Sequence, residues 1–224
     1  MDARTAVRER RSIRKFKPDE VSEKIIREIL EDARWAPSWG NTQPWEIYVV
    51  IGEALKRFRE ANCQKLLEGV SPSPEIKMPE TWPEVLKRRY TEVGKSVLTS
   101  LAIPREDQQE RLQYSADMYS FFHAPCLILF CIDKTLVVEY AMLDVGLILQ
   151  TICLLAHDRG LGTCILAASV RYPDVLRELL KIPENKSLVI GVALGYPDRD
   201  SPVNHFARQR TTLDDLVTWL PFPS

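Results

Sequence analysis

The sequence predicts an α+β fold, because helical and strand patterns are mixed along its 224 residues without strict strand–helix alternation. Two apolar runs, CLILFCI at 126–132 and LVIGVAL at 188–194, predict strands, and the first is typical of a strand that is covered on both faces. Between them, residues 136–159 form the longest helical pattern. This segment is apolar almost all round, so we expect it to be the central buried helix.

The first part of the chain supplies two helical patterns and one strand. Residues 2–10 are compatible with a short helix, and a clear amphipathic helix follows Ser22, whose hydroxyl suits an N-cap. The buried face of this helix is marked by apolar residues spaced three or four apart, namely Ile25, Ile26, Ile29, Leu30 and Ala33. Pro, Gly and Asn in the loop 36–41 end the helix, and the β-branched and aromatic residues of 44–51 predict a strand.

The middle of the chain predicts a helix near 53–67 and then an irregular segment. Four prolines between 70 and 83 indicate an excursion or lid near 70–90 rather than core structure. Helices are expected over 84–101, 105–120 and 172–180, with a third strand near residue 163 and a short helix near 212–219. The segments that flank the excursion look like parts of one core, so residues 1–224 are expected to form a single domain.

Composition excludes several classes of protein. Hydrophobic residues are 45% and charged residues 27% of the chain, and a net charge of −1 gives no global field for nucleic acid or an anionic membrane. The N-terminus lacks the apolar stretch of a secretory signal, and the longest apolar runs are short and interrupted by polar residues. The five cysteines include no C-x-x-C pair and the three histidines lie far apart. We therefore expect a cytoplasmic protein with no metal site, no nucleic-acid partner and no membrane segment.

The segment from Arg4 to Lys17 carries seven basic residues and one acid. If the chain is extended here, Arg10, Ser12 and Arg14 point to one side and Ile13 to the other. If it is helical, Arg10 and Arg14 still share a face, but Ser12 turns away. Both conformations bring two guanidiniums together, which suits the oxygens of a phosphate group.

The tail supplies a second arginine pair, Arg208 and Arg210, with the same period of two. Several charge-assisted hydrogen bonds of about 1.5–3 kcal/mol each would hold a phosphorylated ligand strongly. The alternative interpretation is a solvated basic face that pairs with surface acids.

The loop APSWGNTQPW at 36–45 follows a helix and precedes a strand. Its free backbone groups, hydroxyl, carboxamides and indoles could bind the edge of a flat heteroaromatic ring while an aromatic side chain stacks nearby. The alternative is a connecting loop that needs no ligand. Asp144 and Gln150 are buried polar candidates on the long helix, and Cys126 and Cys131 are expected on opposite faces of their strand.

The sequence lacks the common motifs of several enzyme classes. The sequence has no G-x-S-x-G, no cysteine beside an obvious histidine partner, no G-x-G-x-x-G and no P-loop. The residues therefore give no support for nucleophilic catalysis, a Rossmann dinucleotide loop or a P-loop.

Six motifs in order along the chain resemble the FMN-dependent nitroreductase family: RRSIRKF at 10–16, APSWGNTQPW at 36–45, FFHAP at 121–125, GLGTC at 160–164, GVALGYP at 191–197 and R-x-R at 208–210. The first two are the most specific. The resemblance implies a nitroreductase-like α+β fold with a mixed central β-sheet flanked by helices. It also implies an intertwined homodimer with two FMN sites at the subunit interface.

The resemblance implies that the phosphate and ribityl chain of FMN are bound by Arg10, Ser12, Arg208 and Arg210. Arg14 would lie at the N1/O2 edge of the flavin ring. The loop residues would reach FMN from the partner subunit, and residues 166–168 would cover the ring near N5. The full set implied to bind FMN is Arg10, Arg11, Ser12, Arg14, Pro37, Ser38, Trp39, Asn41, Leu166, Ala167, Ala168, Arg208 and Arg210.

Three positions depart from the family pattern. Ala167 and Ala168 stand where many relatives have Gly, often preceded by Glu. Asp117 and Met118 occupy the stretch in which relatives place an Asn that faces the flavin, and either could substitute for it. Trp39 is bulkier than its usual counterpart and is expected to narrow the substrate face.

The activity implied by the resemblance is a ping-pong reaction. NADH or NADPH would reduce the flavin and leave, and a small aromatic acceptor such as a nitroarene or quinone would then take the electrons. Trp82 and Tyr90, in the irregular excursion near 70–90, are expected to shape the acceptor pocket. The alternatives are another reaction of the same superfamily (dehalogenation, heterocycle oxidation or flavin fragmentation) and a non-catalytic flavin-binding protein.

Overall fold

The computed structural model describes residues 1–220, and helices alternate irregularly with strands along them. In chain order the elements are α1 (Ala3–Glu9), α2 (Glu23–Ala33), β1 (Trp45–Ile51), α3 (Gly52–Leu67), α4 (Glu84–Ser100), α5 (Gln108–Tyr119), β2 (Cys126–Asp133), α6 (Val138–Asp158), β3 (Gly162–Leu166), α7 (Pro173–Leu180) and β4 (Lys186–Gly195). The α+β class is confirmed. The predicted elements are present, with the exception of the helix near 212–219.

The four strands form one sheet in the order β1-β2-β4-β3, and each neighbouring pair is antiparallel. The expectation of a mixed sheet therefore needs correction for these strands. A parallel component enters through a single bridge between Ser12 and Thr163, where the N-terminal segment runs beside β3. The segment near residues 12–13 thus extends the sheet at its β3 edge.

Apolar clusters cover both faces of the sheet, as β2 illustrates. Leu127, Leu129 and Cys131 pack with residues of α3, α5 and α7, whereas Cys126 and Ile128 pack with α2 and α6. The two thiols lie on opposite faces, as predicted. Burial raises the pKa of both thiols to about 12, so neither forms a thiolate at neutral pH.

Helix α6 differs from the expectation of a helix that is buried all round. Its inner face, including Ile148 and Ile152, packs on the sheet, while Tyr140, Leu143 and Leu147 are 55%, 66% and 45% exposed. The helix is long and apolar enough to cross a membrane by length and composition, and 39% of its most apolar 18-residue stretch is buried inside the protein. Because a helix packs on a sheet through one face only, the opposite apolar face is left without a cover within one chain.

Residues 70–83 form neither helix nor strand, as predicted, but the first half of the segment is held to the core. The Tyr172 hydroxyl donates to the Val70 carbonyl at 3.0 Å, and the Ser73 N–H donates to the Arg171 carbonyl at 2.9 Å. The second half, which leads to Trp82, is largely exposed. Residues 70–75 are therefore anchored to the core, and the irregular excursion extends away from it only beyond them.

The helix predicted near 212–219 is wrong, because these residues form a single turn. The Asp215 N–H donates to the Thr212 hydroxyl at 3.3 Å, and Leu213 and Leu216 are 63% and 66% exposed. A nucleated turn continues into a helix only when packing of an apolar face offsets its cost, and these leucines pack little.

Candidate functional site

The N-terminal segment runs extended across the edge of the sheet, which decides between the two conformations open at the sequence level. The Ile13 N–H donates to the Thr163 carbonyl at 2.9 Å, and the Ile13 side chain is 7% exposed. A Cβ at Gly162 would lie 2.5 Å from Ile13 Cγ1, so this close approach requires a glycine. With Ile13 turned inward, the period of two turns Ser12 and Arg14 the other way.

Asn204 fastens the C-terminal tail to this segment. Its side chain accepts from the Arg14 N–H at 2.8 Å and donates to the Lys15 and Asp198 carbonyls, each at 2.8 Å. The Arg11 guanidinium donates to the Asn204 carbonyl at 2.6 Å. Asn204 is 2% exposed and satisfies three backbone groups at once. Sequence reasoning missed it, because a single asparagine in a polar tail carries no distinguishing pattern.

These contacts bring the two ends of the chain together around a cavity of about 640 Å³, which we call the arginine cavity. Its walls come from the N-terminal segment, the tail and one face of α4. Ser12 lies on its wall together with seven arginines: Arg10, Arg11, Arg14, Arg88, Arg89, Arg208 and Arg210. Sequence reasoning missed Arg88 and Arg89, since nothing local indicates that α4 turns them toward the tail.

The arginine cavity is strongly positive. Glu92 is its one lining carboxylate among the described residues, and it pairs with Lys95 at 3.1 Å. Within residues 1–220, the arginines that form ion pairs all lie elsewhere: Arg27, Arg34, Arg57, Arg159 and Arg177. Partial burial, followed by the charges of Arg11, Arg210 and Arg10, lowers the pKa of Arg208. The alternative of a basic face paired to surface acids therefore does not describe these arginines.

Arg208 has a backbone role in this structure. Its two terminal nitrogens donate to the carbonyls of Arg8 and Arg10, at the C-terminal end of α1. A cation at a helix C-terminus satisfies carbonyls that lack partners within the helix. Arg208 thus clasps the N-terminal segment, and this contact depends on residues about 200 positions apart in sequence.

Arg10, Arg14 and Arg210 keep donors that can serve a ligand. Arg10 Nε is buried without a hydrogen-bond partner among the described residues. The Arg14 guanidinium lies 5.5 Å from the centre of the Phe206 ring and donates one bond to the Ser12 carbonyl at 3.3 Å. An orphaned buried donor beside unpaired guanidiniums and a hydroxyl is a set of groups that fits a phosphate dianion. The residues present therefore fit the phosphate group of FMN.

A buried thiol lies behind Ser12. Burial raises the pKa of Cys164 to about 11, although Arg14 and the Ser12 hydroxyl partly oppose this effect. The thiol is therefore neutral at pH 7 and adds no negative charge next to the arginine cavity.

The 36–45 loop docks on α6, away from the arginine cavity of the same chain. The Trp39 N–H donates to the buried Asp144 carboxylate at 3.0 Å, and the Trp39 ring lies 5.4 Å from that of Tyr140. Within the loop, the Gln43 N–H donates to the Ser38 hydroxyl at 2.9 Å, and Asn41 has a positive φ of 58°. The residues predicted from the resemblance, Pro37, Ser38, Trp39 and Asn41, are not among those that line the cavity.

Residues 166–168 lie at the end of β3 opposite to the Ser12 bridge. The five residues of β3 span about 16 Å, so Ala167 lies roughly that far from the end of the strand that is next to Ser12. Leu166 and Ala168 are buried, and the Ala168 carbonyl accepts from Asn62 Nδ2 at 3.2 Å. Ala167 is partly exposed, whereas its two neighbours are buried.

Asp117 and Met118 have different surroundings. Hydrogen bonding to His123 lowers the pKa of Asp117, and the two side chains are 3.5 Å apart. Met118 is partly buried against the core. Asp117 is therefore an ionised, partnered side chain at neutral pH, and Met118 contributes to packing.

A family model described as the nitroreductase family matches residues 7–196. The chain belongs to the nitroreductase family. It is 33% identical over 221 residues to a 4-nitrobenzoate reductase of Pseudomonas putida, covering 99% of this chain and 96% of that protein. It is also 33% identical over 219 residues to a nitrobenzene nitroreductase of Ectopseudomonas oleovorans, covering 96% and 95%.

Solved structures of nitroreductases superpose over nearly the whole chain. The FMN-dependent nitroreductase NfnB of Mycobacterium smegmatis, in complex with NADPH, has a TM-score of 0.92 at 30% identity and covers 98% of each chain. The FMN and NADPH-dependent NfnB of Sphigopyxis sp. strain HMH has a TM-score of 0.95 at 29% identity, covering 99% and 100%. The predicted family and nitroreductase-like fold are confirmed. The predicted class of enzyme, an FMN-dependent NAD(P)H oxidoreductase, is also confirmed at the level of the family.

Proposed function

We propose that this nitroreductase passes electrons from NADH or NADPH, through FMN, to small nitroaromatic or quinone-like acceptors in a ping-pong reaction. The observation that carries the proposal is the arginine cavity, in which the two ends of the chain meet around guanidiniums that have no carboxylate partner within residues 1–220. Such a cavity suits a phosphorylated cofactor, because an anion relieves the mutual repulsion of the arginines.

In this proposal Arg10, Ser12 and Arg210 bind the FMN phosphate, and Arg14 lies at the N1/O2 edge of the flavin. Arg11 and Arg208 hold the binding segments in place through the Asn204, Arg8 and Arg10 carbonyls. The bound FMN supplies the redox chemistry, so no side-chain acid or base is assigned. A fixed cation near N1 favours the flavin when it carries negative charge.

The other end of the flavin is assigned to the end of β3. Leu166, Ala167 and Ala168 would cover the ring near N5, with a backbone amide as the donor. The small side chains leave the backbone open to approach by a flat ring, and the partial exposure of Ala167 supports this assignment.

The proposed assembly is a homodimer with FMN at the subunit interface. Support comes from the uncovered apolar face of α6, with Tyr140, Leu143 and Leu147 exposed, and from Trp39, which is 70% exposed beside Tyr140. A second copy packed on this face would bury these side chains. It would also bring the 36–45 loop, with Pro37, Ser38, Trp39 and Asn41, toward the partner's cofactor.

Two further assignments complete the proposal. Trp82 and Tyr90, whose ring centres lie 6.4 Å apart and which are 43% and 71% exposed, shape the acceptor pocket. The chain acts as one domain, because a single sheet has an apolar core on each face. The proposed location is the cytoplasm.

The test is the colour and reduction of the purified protein. We expect bound FMN with absorption at about 450 nm that is lost on addition of NAD(P)H and restored by a quinone or nitroarene. Bound FMN that neither donor reduces would indicate a non-catalytic flavin-binding protein. A chain that does not bind added FMN would overturn the proposal.

Variants test the cofactor site directly. Arg10→Ala and Arg208→Ala should each weaken the Kd for FMN by about tenfold or more, the first through a lost phosphate contact and the second through a misplaced N-terminal segment. The control is Arg4→Ala, because Arg4 is an exposed residue of α1 outside the cavity lining. Equal effects in all three variants would mean that the basic segment is only a surface feature.

A further inference from the structure

The arginine cavity has more positive charge than one FMN phosphate requires. Seven guanidiniums line it, and its lining acid among the described residues, Glu92, is paired with Lys95. A phosphate monoester carries a charge of about −1.5 to −2 at pH 7. A single such group therefore leaves several guanidiniums of this cavity without an anionic partner.

The surplus charge lies on the wall formed by α4. Arg89, Val93 and Ser96 follow the helical spacing of one face that is turned toward the tail, with Arg88 beside them. Arg89 Nη2 donates to the Thr211 hydroxyl at 2.8 Å, next to Arg210. This bond holds α4 against the tail. Arg88 forms no ion pair within residues 1–220.

We propose that Arg88 and Arg89 bind the 2′-phosphate of NADPH and make it the preferred electron donor over NADH. The proposal rests on the proposed function and specifies its donor. NADPH differs from NADH only by a phosphate monoester on the adenosine ribose, which is the group that two guanidiniums recognise well. The two arginines lie on the α4 wall of the arginine cavity, whereas the residues assigned to the FMN phosphate lie on the N-terminal segment and the tail.

The experiment isolates the donor from the acceptor. The FMN-loaded enzyme is mixed with NADPH or NADH without any acceptor and without oxygen, and the rate of flavin bleaching is followed against donor concentration. We expect the wild-type apparent second-order rate constant to be at least about tenfold higher for NADPH. Arg88→Ala should lower the value for NADPH by about tenfold and leave that for NADH within about twofold.

A binding measurement gives a readout independent of turnover. Titration calorimetry of the FMN-loaded protein should show adenosine 2′,5′-bisphosphate binding at least about tenfold more tightly than adenosine 5′-monophosphate, and Arg88→Ala should abolish the difference. Lys87→Ala is the matched control, because Lys87 is a neighbouring exposed cation of α4 that does not line the cavity.

The outcomes separate this inference from the proposed function. If both donors bleach the flavin equally well in the wild type, or if Arg88→Ala and Lys87→Ala slow both donors equally, the 2′-phosphate site is wrong while the oxidoreductase stands. If neither donor bleaches bound FMN, the proposed function itself fails.

Discussion

Arg177 and the arginines of the arginine cavity have the same side chain, but their guanidiniums have different hydrogen-bond and charge partners. Arg177 is 12% exposed and bonds to the carbonyls of Ile182, Pro183 and Lys186 and to the Glu75 carboxylate at 2.6 Å. The arginines of the cavity cluster together and have no carboxylate partner in the part of the chain that the structure describes. The first arrangement is complete within the chain, whereas the second would be completed by the anion that we propose to bind there.

The difference follows from what each site does with buried charge. Glu75 also accepts from the Leu188 N–H at 2.7 Å, so charges and hydrogen bonds satisfy each other where the 70–75 segment meets β4. Removing either partner of such a site destabilises the fold, because the other charge is left poorly solvated. A cluster of like charges contributes repulsion instead, and it is retained where a ligand binds.

The largest effect is expected for Arg177→Ala. The change leaves Glu75 and three carbonyls short of a donor, so we expect the free energy of unfolding to fall by about 3–5 kcal/mol. Urea titration measures this loss, and the Kd for FMN of the folded fraction should be unchanged. Arg57→Ala is the control, since Arg57 and Glu53 form an exposed pair whose loss should cost less than about 0.5 kcal/mol. A cost for Arg177→Ala no larger than that for Arg10→Ala would remove the distinction.

Asn204→Ala should lower both the stability of the fold and the affinity for FMN. It removes three side-chain hydrogen bonds, two to the N-terminal segment and one to the Asp198 carbonyl, so we expect a loss of about 2–3 kcal/mol in unfolding free energy. Because the tail also positions Arg208 and Arg210, the Kd for FMN should rise as well. The exposed Asn185, whose contact with Asp133 is 3.4 Å, provides the control Asn185→Ala. Loss of stability with unchanged FMN affinity would show that the tail does not place the arginines.

The smallest effect is a pH dependence at Glu75. Burial alone would raise its pKa, but the Leu188 N–H and Arg177 outweigh burial and hold the pKa below the ordinary value of 4.5. The unfolded chain then binds the proton more readily, so this stabilisation is present above pH 4.5 and is lost as the pH falls through the folded pKa. The stability difference between the wild type and Glu75→Gln should therefore shrink below about pH 4.5 in urea titrations. A difference that stays constant down to pH 3 would contradict the assignment.

The sequence by itself determined what depends on short-range geometry. Strand alternation placed Cys126 and Cys131 on opposite faces. At Ser12 and Arg14 the period of two offered the separation from Ile13 as one of two conformations, and the structure selected the extended one. Steric limits and side-chain periodicity act over a few residues, so a pattern in the sequence carries them. The motif resemblance gave the family, because its segments keep their order along the chain.

Only the tertiary structure decided which groups satisfy each charge. Arg208 clasps carbonyls near residue 9, Asn204 fastens the tail, and Arg88 turns into the cavity through the packing of α4. Packing on the sheet likewise left one face of α6 uncovered, although its sequence is apolar almost all round. Hydrogen-bond partners in a fold are set by distance in space rather than in sequence, and no local pattern encodes a contact across about 200 residues.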